Sequence, residues 1–565
     1  MSVGRVASVF FARALARGAR IVGVALASLA IAACTHRTPA DLLLYDGKVI
    51  TLDDASTIAT TVVVTDGRIV AVGGDEIRKQ YDAKDALDLG GRALLPGFID
   101  THIHADGHPK RYVELGGAKS IDEVVKLVAA KAAELGPSQW ITGANWSEDQ
   151  LAEKRRPLVA DLDRAAPQNP VVLTRAGAHS VACNSLALAL AGLSPKSKDP
   201  DHGAIERDER GILNGIIRER GDIVTRLVPQ APADELDASL VETLRGLFAL
   251  GITSLIQAAD TIDHYPAWQR IYAAHPGELP RAAVQVRWEG PDKMTAFGRK
   301  SGDGDEYLRV GAIKVFIDGG FTGPAAYTKV PYKGMGDYRG MLTMPEADLR
   351  RTIREAHDAG WQIGIHAIGD AAIELAVDAL DQALKATPRD DHRHYLNHFT
   401  LLPSDATLDL MAQDKILITE QPNFTYTLEG RYVAYLDGDR LQHNNALRTP
   451  RQHGIFTALS SDDLPIGPLV GLYAAVTRRG MSGAVYGADE RLSIDEALRG
   501  YTRGGAYFTR EEAKKGSIEV GKLADLIELS QDPLTSPPEA LLTMQVERTY
   551  LGGKLVFDRA AQKRS

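Results

Sequence analysis

Eight strand-like runs, separated by helical segments, constrain the fold of this chain more than any other feature. They are RALLPGFIDTHIH (92–104), GITSLIQAAD (251–260), AAVQVRW (282–288), VGAIKVFID (310–318), WQIGIHAIGD (361–370), HYLNHFTLL (394–402), KILITEQP (415–422) and GIFTALSSDD (454–463). Segments such as EADLRRTIREAHDAG (346–360) and AAIELAVDALDQALKA (371–386) between them have helical character. Eight β–α units predict an α/β fold, a (β/α)8 TIM barrel over 94–511, with chemistry at the C-terminal strand ends. The interval from about 105 to 250 is too long for one βα unit and predicts an inserted subdomain.

The two ends of the chain read differently. From Asp41 the runs LLLYDGKVITLD and TTVVVTDGRIVAVGG each carry an Asp-Gly pair, Asp46-Gly47 and Asp66-Gly67, between β-branched stretches. Asp-Gly suits the two positive-φ positions of a type I′ turn, so two hairpins are expected. The C-terminal segments GSIEVGKLADLIELS and VERTYLGGKLVFD repeat the style, with Gly552-Gly553 as a further turn. Termini tend to lie close together, which predicts a composite β-sandwich from 41–93 and 512–565. With 565 residues, 44% hydrophobic and 25% charged, the chain has ample material for more than one folded domain.

Polar residues at the ends of the predicted barrel strands carry the chemistry. His102 and His104 are two apart, so both imidazoles share one face, the barrel interior. His366 ends WQIGIH, His398 ends HYLNH, and Asp462 follows TALSS. Several of only 15 histidines at successive strand ends argue for a shared metal site, because a barrel brings those ends together. His392 and His394 rival His398, which lies nearer the C-terminal end of its strand, and Asp463 rivals Asp462. Asp370 reads as a helix N-cap. Lys314 is a charged residue amid the apolar run VGAIKVFID. An ammonium there repels a metal, whereas its carbamate would bridge two ions; an ion pair with Asp318 or a substrate anion is the competing reading.

At the N-terminus, Arg5, Arg13, Arg17 and Arg20 precede the 13-residue apolar run IVGVALASLAIAA (21–33). A spanning helix needs about 20 apolar residues, so 1–33 reads as a signal peptide. Cys34 follows the run directly, which resembles a bacterial lipobox and predicts a lipidated linker over 34–40 and a tether on the periplasmic side of a bacterial membrane; an ordinary secretory cleavage site with an incidental Cys is the alternative. Thr35 is not Asp, which favours the outer membrane. Removing four arginines takes the formal charge from −9 to −13, with no basic run to serve nucleic acid. Cys183, the second of two cysteines, is expected as a buried thiol.

Together these residues resemble the amidohydrolase superfamily, and within it the YtcJ-like branch, amidohydrolase family 3. The resemblance runs from about Asp41 to Asp558 through PGFIDTHIH, AHSVACNSLAL (178–188), KVFIDGG, HAIGD, SSDDLPIGPLVGLYAAVTR (460–478) and KGSIEVGKLADLIEL (515–529). It implies that His102 and His104, Lys314, His366, His398 and Asp462 are metal ligands on the first, fourth, fifth, sixth and eighth strands. It also implies that Asp462 is catalytic and that His179 and Asn184 bind substrate. One or two divalent ions are expected, with Zn favoured, and Lys314 carbamylated. The implied reaction is hydrolysis of a C–N bond other than a peptide bond in a small amide, N-substituted formamide or cyclic amide. Ester or lactone hydrolysis on the same site, or an inactive binding lipoprotein, are the alternatives. The expected partners are a small-molecule substrate and a membrane through the N-terminal lipid, with no nucleic acid; a homodimer stays open. The chain departs from the branch at Thr502-Arg503-Gly504 and in DGGFTGPAA, which leaves the substrate undefined. The aromatic residues Trp146, Tyr265, Trp268, Trp288, Phe321 and Tyr327 are candidates for core or pocket.

Overall fold

The computed structural model describes residues 37–562 except positions 149, 177–179, 202 and 322. The expected signal segment and Cys34 lie outside the described residues. Eight parallel strands form the central sheet: β1 (Phe98–Ile103), β2 (Ile252–Asp260), β3 (Arg281–Arg287), β4 (Leu308–Phe316), β5 (Ile363–Ala367), β6 (Tyr395–His398), β7 (Leu417–Glu420) and β8 (Thr457–Leu459). Each pairs with the next in chain order, and each is one of the eight predicted runs. The fold is therefore the expected α/β barrel.

Closure between β1 and β8 uses specific polar contacts. The Asp462 N–H donates to the His102 carbonyl (2.8 Å), and Thr101 Oγ1 donates to the Leu459 carbonyl (3.0 Å). Inside, Gln285 donates to the Tyr395 hydroxyl across the barrel. A side chain at position 364 would collide with this pair, its Cβ running into the Gln285 amide nitrogen and the Tyr395 ring. Glycine in β5 is what lets the interior fill from the opposite strands. The helices pack outside in the usual way: Glu346–Asp358 buries Leu349, Ile353 and Ala356 at spacings of four and three, leaving its charged face to solvent.

The interval between β1 and β2 holds a six-stranded sheet of its own, from Tyr112–Glu114 to Leu213–Arg218. Apolar clusters cover it, one built on Val124, Val128, Trp146 and Leu173, another on Val172, Cys183, Leu188 and Ile217. The helix Ala233–Gly246, inside the interval 105–250, packs Leu240, Val241 and Leu244 into the barrel's cluster. The extra sheet is thus shorter than the interval expected, because the last part of that interval is the barrel's own helix.

Residues before β1 and after position 517 build two facing sheets around Leu44, Val62, Leu94, Ala524, Leu526 and Tyr550. One sheet joins Ala93–Pro96 from the N-terminal side to Leu526–Leu529 from the C-terminal side. Asp66-Gly67 turns a hairpin as expected, with φ of 49° and 75°. Asp46-Gly47 does not. Only Asp46 has positive φ (54°), and the strands it joins, Thr38–Tyr45 and Lys48–Ile50, lie in different sheets. A type I′ turn needs both central residues at positive φ, so the same dipeptide here carries the chain between layers. The first strand begins at Thr38, inside the stretch read as linker.

Candidate metal centre

The barrel brings His102, His104, Lys314, His366, His398 and Asp462 to one end. Ring centroids of His102 lie 5.5 Å from His104 and 4.7 Å from His398, and those of His366 and His398 are 4.4 Å apart. Asp462 oxygens approach His104 Nε2 to 3.7 Å and His398 Nδ1 to 3.8 Å. One atom each from His102, His104 and Asp462 falls within 4.8 Å of the others, the spacing of groups around a single cation.

Strand alternation alone does not deliver all six. Lys314 and His366 face inward by simple periodicity, with Lys314 in register with Gly364 and His366 with Asn397. His398 follows inward-facing Asn397 and would point outward on a regular strand. Its φ of 78°, followed by 51° at Phe399, turns the imidazole back over the mouth. Asp462 likewise has φ of 59°. Positive φ is uncommon for such residues, and here it falls on the two side chains that must leave the pleat to reach the centre.

Hydrogen bonds outside the centre fix the rings. His102 Nδ1 meets Asn397 Oδ1 (2.6 Å), and His398 Nδ1 meets Gln421 Oε1 (2.8 Å). With the proton on Nδ1, the Nε2 lone pairs face the cavity. Asp100 accepts from the His102 and Ser461 amides (3.2 and 3.1 Å), holding β1 and the β8 turn together. The buried atoms His102 Nε2, His366 Nε2 and Lys314 Nζ have no hydrogen-bond partner. Several orphaned buried donor atoms aimed at one point are costly unless a ligand completes them, and neutral imidazoles with a carboxylate are the donor set of a divalent metal. The residues present therefore fit a metal.

Electrostatics agree with that fit. Burial, then the Lys314 charge, depresses His102 well below its ordinary value and His366 to about 3. Burial, then His366, does the same to His398. Burial brings the Lys314 ammonium down to about 7, against the pull of Asp462 and with the push of Arg287. Burial raises Asp462, and lifts Asp463 to about 7 with Asp462 beside it. Burial thus favours the neutral imidazoles, the form that can donate a lone pair to a metal.

Several neighbours have other tasks. Asp318 does not pair with Lys314; its carboxylate accepts the amides of Tyr327 (2.9 Å), Ile368 (3.1 Å) and Gly369 (2.8 Å), tying the loop after β4 to the turn after β5. Asp370 is the first residue of its helix, with Gly369 at the cap, and accepts the Lys329 amide (2.9 Å). His392 and His394 lie away from the centre, with His394 Nε2 on His357 Nδ1 (2.9 Å) and His392 Nε2 on the Asp414 carbonyl (2.8 Å). Trp146 is wholly buried in the inserted sheet's core, its indole N–H on the Leu173 carbonyl (3.1 Å). Tyr265 and Trp268 are buried in the barrel's core.

Asn184 is a correction. It is 0% exposed and caps the helix Ser185–Leu190, accepting from Ala187 and Val171 amides and donating to Asn169 and Ala166 carbonyls. With both amide atoms used, it fastens the strand-to-helix corner of the inserted sheet instead of touching substrate. His179 lies outside the described residues. Sequence reasoning missed Asn397 and Gln421, although Asn397 stands beside His398 in HYLNH and alternation would have placed it inward. Asn397→Ala is expected to weaken metal retention about 10- to 100-fold in chelator competition while the protein stays folded. Unchanged resistance to chelator would show that the His102–Asn397 contact does not matter.

The model of a family described as "Amidohydrolase family" matches residues 85–557. The chain belongs to the amidohydrolase family. This amidohydrolase is 29% identical to YtcJ of Bacillus subtilis (strain 168), named an amidohydrolase, over 91% of this chain and 99% of that one. It is likewise 29% identical to an N-substituted formamide deformylase of Arthrobacter pascens, over 92% and 98% of the two chains. A metal-dependent hydrolase from Pyrococcus horikoshii OT3 shares the fold, with a TM-score of 0.69 at 24% identity over 88% of this chain and 99% of that one. The amidohydrolase is an enzyme, a hydrolase acting on C–N bonds, of a metal-dependent family.

Proposed function

We propose that this amidohydrolase hydrolyses the C–N bond of a small amide, N-substituted formamide or cyclic amide, with Zn²⁺ as the favoured ion and one or two ions bound. The observation that carries this is the convergence of four imidazoles, Lys314 and Asp462, with His102 Nε2, His366 Nε2 and Lys314 Nζ buried there and without a hydrogen-bond partner among the described residues. The formamide deformylase among its relatives supports including formamides. A divalent ion held there would supply Lewis acidity, to lower the pKa of water and polarise the substrate carbonyl.

The protein's own groups do the rest. His102, His104, His366 and His398 would hold the ion as neutral donors, and Asn397 and Gln421 keep the His102 and His398 rings in place. Lys314, whose burial leaves a large share of neutral amine near pH 7, suits condensation with CO₂ to an anionic carbamate, releasing one proton. Asp462 accepts a proton from the attacking water and delivers it to the departing nitrogen. The test is turnover of matched N-formyl, N-acyl and ester substrates by protein loaded with one defined metal at a time. Metal-dependent amide or formamide turnover is expected; ester turnover with no amide turnover under any metal would refute the proposal.

We also propose export as a lipoprotein, on the strength of the arginine-led apolar run ending at Cys34. With a strand starting at Thr38, a lipid on Cys34 would sit within about 14 Å of the sandwich even on extended chain. Mass spectrometry of the mature N-terminus should find acylated Cys34; an unmodified terminus elsewhere would sink the anchor. Among the described residues, no helix is long and apolar enough to cross a membrane.

A further inference from the structure

The barrel mouth carries a cation that the hydrolytic chemistry does not use. Arg287 ends β3 and is exposed. Two residues earlier, Gln285 reaches Tyr395 inside the barrel, so the strand period puts Arg287 on the same face, at the rim. Its register partner on β4 is Lys314. The guanidinium lies 5.5 Å from the centroid of the Phe316 ring, and Lys314 Nζ lies 5.0 Å from the same centroid. Phe316 thus stands between the rim cation and the centre, 5.5 Å from the His366 ring. The Arg287 charge is close enough to push down both Lys314 and His104.

Among the described residues, no carboxylate, carbonyl or hydroxyl takes a hydrogen bond or ion pair from the Arg287 side chain, which lies over the Phe316 ring. Asp260, Glu289 and Glu355 are committed elsewhere. Glu289 holds Lys293 (2.8 Å), Glu355 accepts from Trp288 (3.1 Å), and Asp260 holds His264 and Trp268 (2.9 and 2.6 Å). Five N–H donors in a fixed plane, backed on an aromatic face and open to solvent beside a catalytic centre, form a receptor for a carboxylate. We infer that Arg287 binds an anionic carboxylate of the substrate, which makes the substrates N-acyl or N-formyl amines bearing an acid, such as N-acylated amino acids. This rests on the hydrolytic reading and narrows it: the carboxylate docks at the β3 rim while the C–N bond is presented to the centre.

The experiment compares N-acetyl and N-formyl amino acids with their neutral carboxamides, in the wild type and in Arg287→Met, which keeps the side chain's length over Phe316. The wild type is expected to prefer the acids. In R287M, kcat/KM for the acids should fall about 30- to 100-fold, mainly through KM, while the carboxamides change less than threefold. Arg287→Lys should recover part of the loss. Equal treatment of acid and carboxamide by the wild type, or an equal fall for both in R287M, would overturn the inference. Phenylacetate, which has no C–N bond, separates this from failure of the hydrolytic reading. Calorimetry should show the wild type binding it at least tenfold more tightly than R287M even if no amide is turned over, and equal binding would also overturn the inference.

Discussion

Replacing His102 and His104 together with alanine is expected to strip the metal from the protein and lower turnover by roughly four orders of magnitude. Both imidazoles come from the end of β1, so one double substitution removes two of the converging nitrogens and spares Lys314, His366, His398 and Asp462. Lewis-acid activation is worth several kcal/mol of barrier, and about 1.4 kcal/mol is a factor of ten in rate. Loss of about 5.5 kcal/mol gives the stated factor. The fold should survive, because His102 Nε2 has no protein partner to lose and its Nδ1 contact is one hydrogen bond to Asn397. Metal content by emission spectroscopy and kcat/KM on the best amide substrate read the outcome together. Retained metal with activity within tenfold of wild type would mean that this cluster is not the catalytic centre.

That prediction could be framed from sequence because a parallel barrel writes itself plainly. Its strands are buried on both faces and read as apolar runs, and the functional residues interrupt those runs at one end. PGFIDTHIH and HYLNH show the pattern, as does TALSSDD. What stayed hidden was local geometry that only tertiary contacts decide. The positive φ that swings His398 and Asp462 into the mouth has no signature in HYLNHF or SSDD. Asp46-Gly47 and Asp66-Gly67 look alike in sequence, yet one switches sheets and the other turns a hairpin, because the partner strands differ. Asn184 sits in a motif that pointed to substrate, but a motif does not say which amide atoms are already satisfied. Arg287 was legible only as an arginine closing AAVQVR; its lack of an acidic partner emerges once the neighbouring acids are seen holding other groups.

The junction between barrel and sandwich makes the second large effect. Arg281 opens β3 at the end of the barrel opposite the metal centre, and Asp525 immediately precedes Leu526–Leu529 of the sandwich. The guanidinium grips both carboxylate oxygens, Nε to Oδ2 at 2.7 Å and Nη2 to Oδ1 at 3.1 Å, with the two side chains 3% and 4% exposed. Asp525 Oδ1 also accepts the Gly552 amide (2.8 Å), while Arg281 Nη1 reaches the Glu306 carbonyl (2.9 Å). Burial alone would lower the guanidinium's pKa, and the Asp525 charge more than reverses it. Such a pair contributes little over a well-packed apolar substitute, since both charges were desolvated to form it, but breaking it strands one of them. Asp525→Ala leaves a buried cation and an unpaired Gly552 amide, and is expected to cost about 3–5 kcal/mol in urea unfolding. Arg281→Met combined with Asp525→Leu should cost less than Asp525→Ala alone, because no buried charge remains. A loss below about 1 kcal/mol for Asp525→Ala would mean that water reaches the junction and screens the stranded cation.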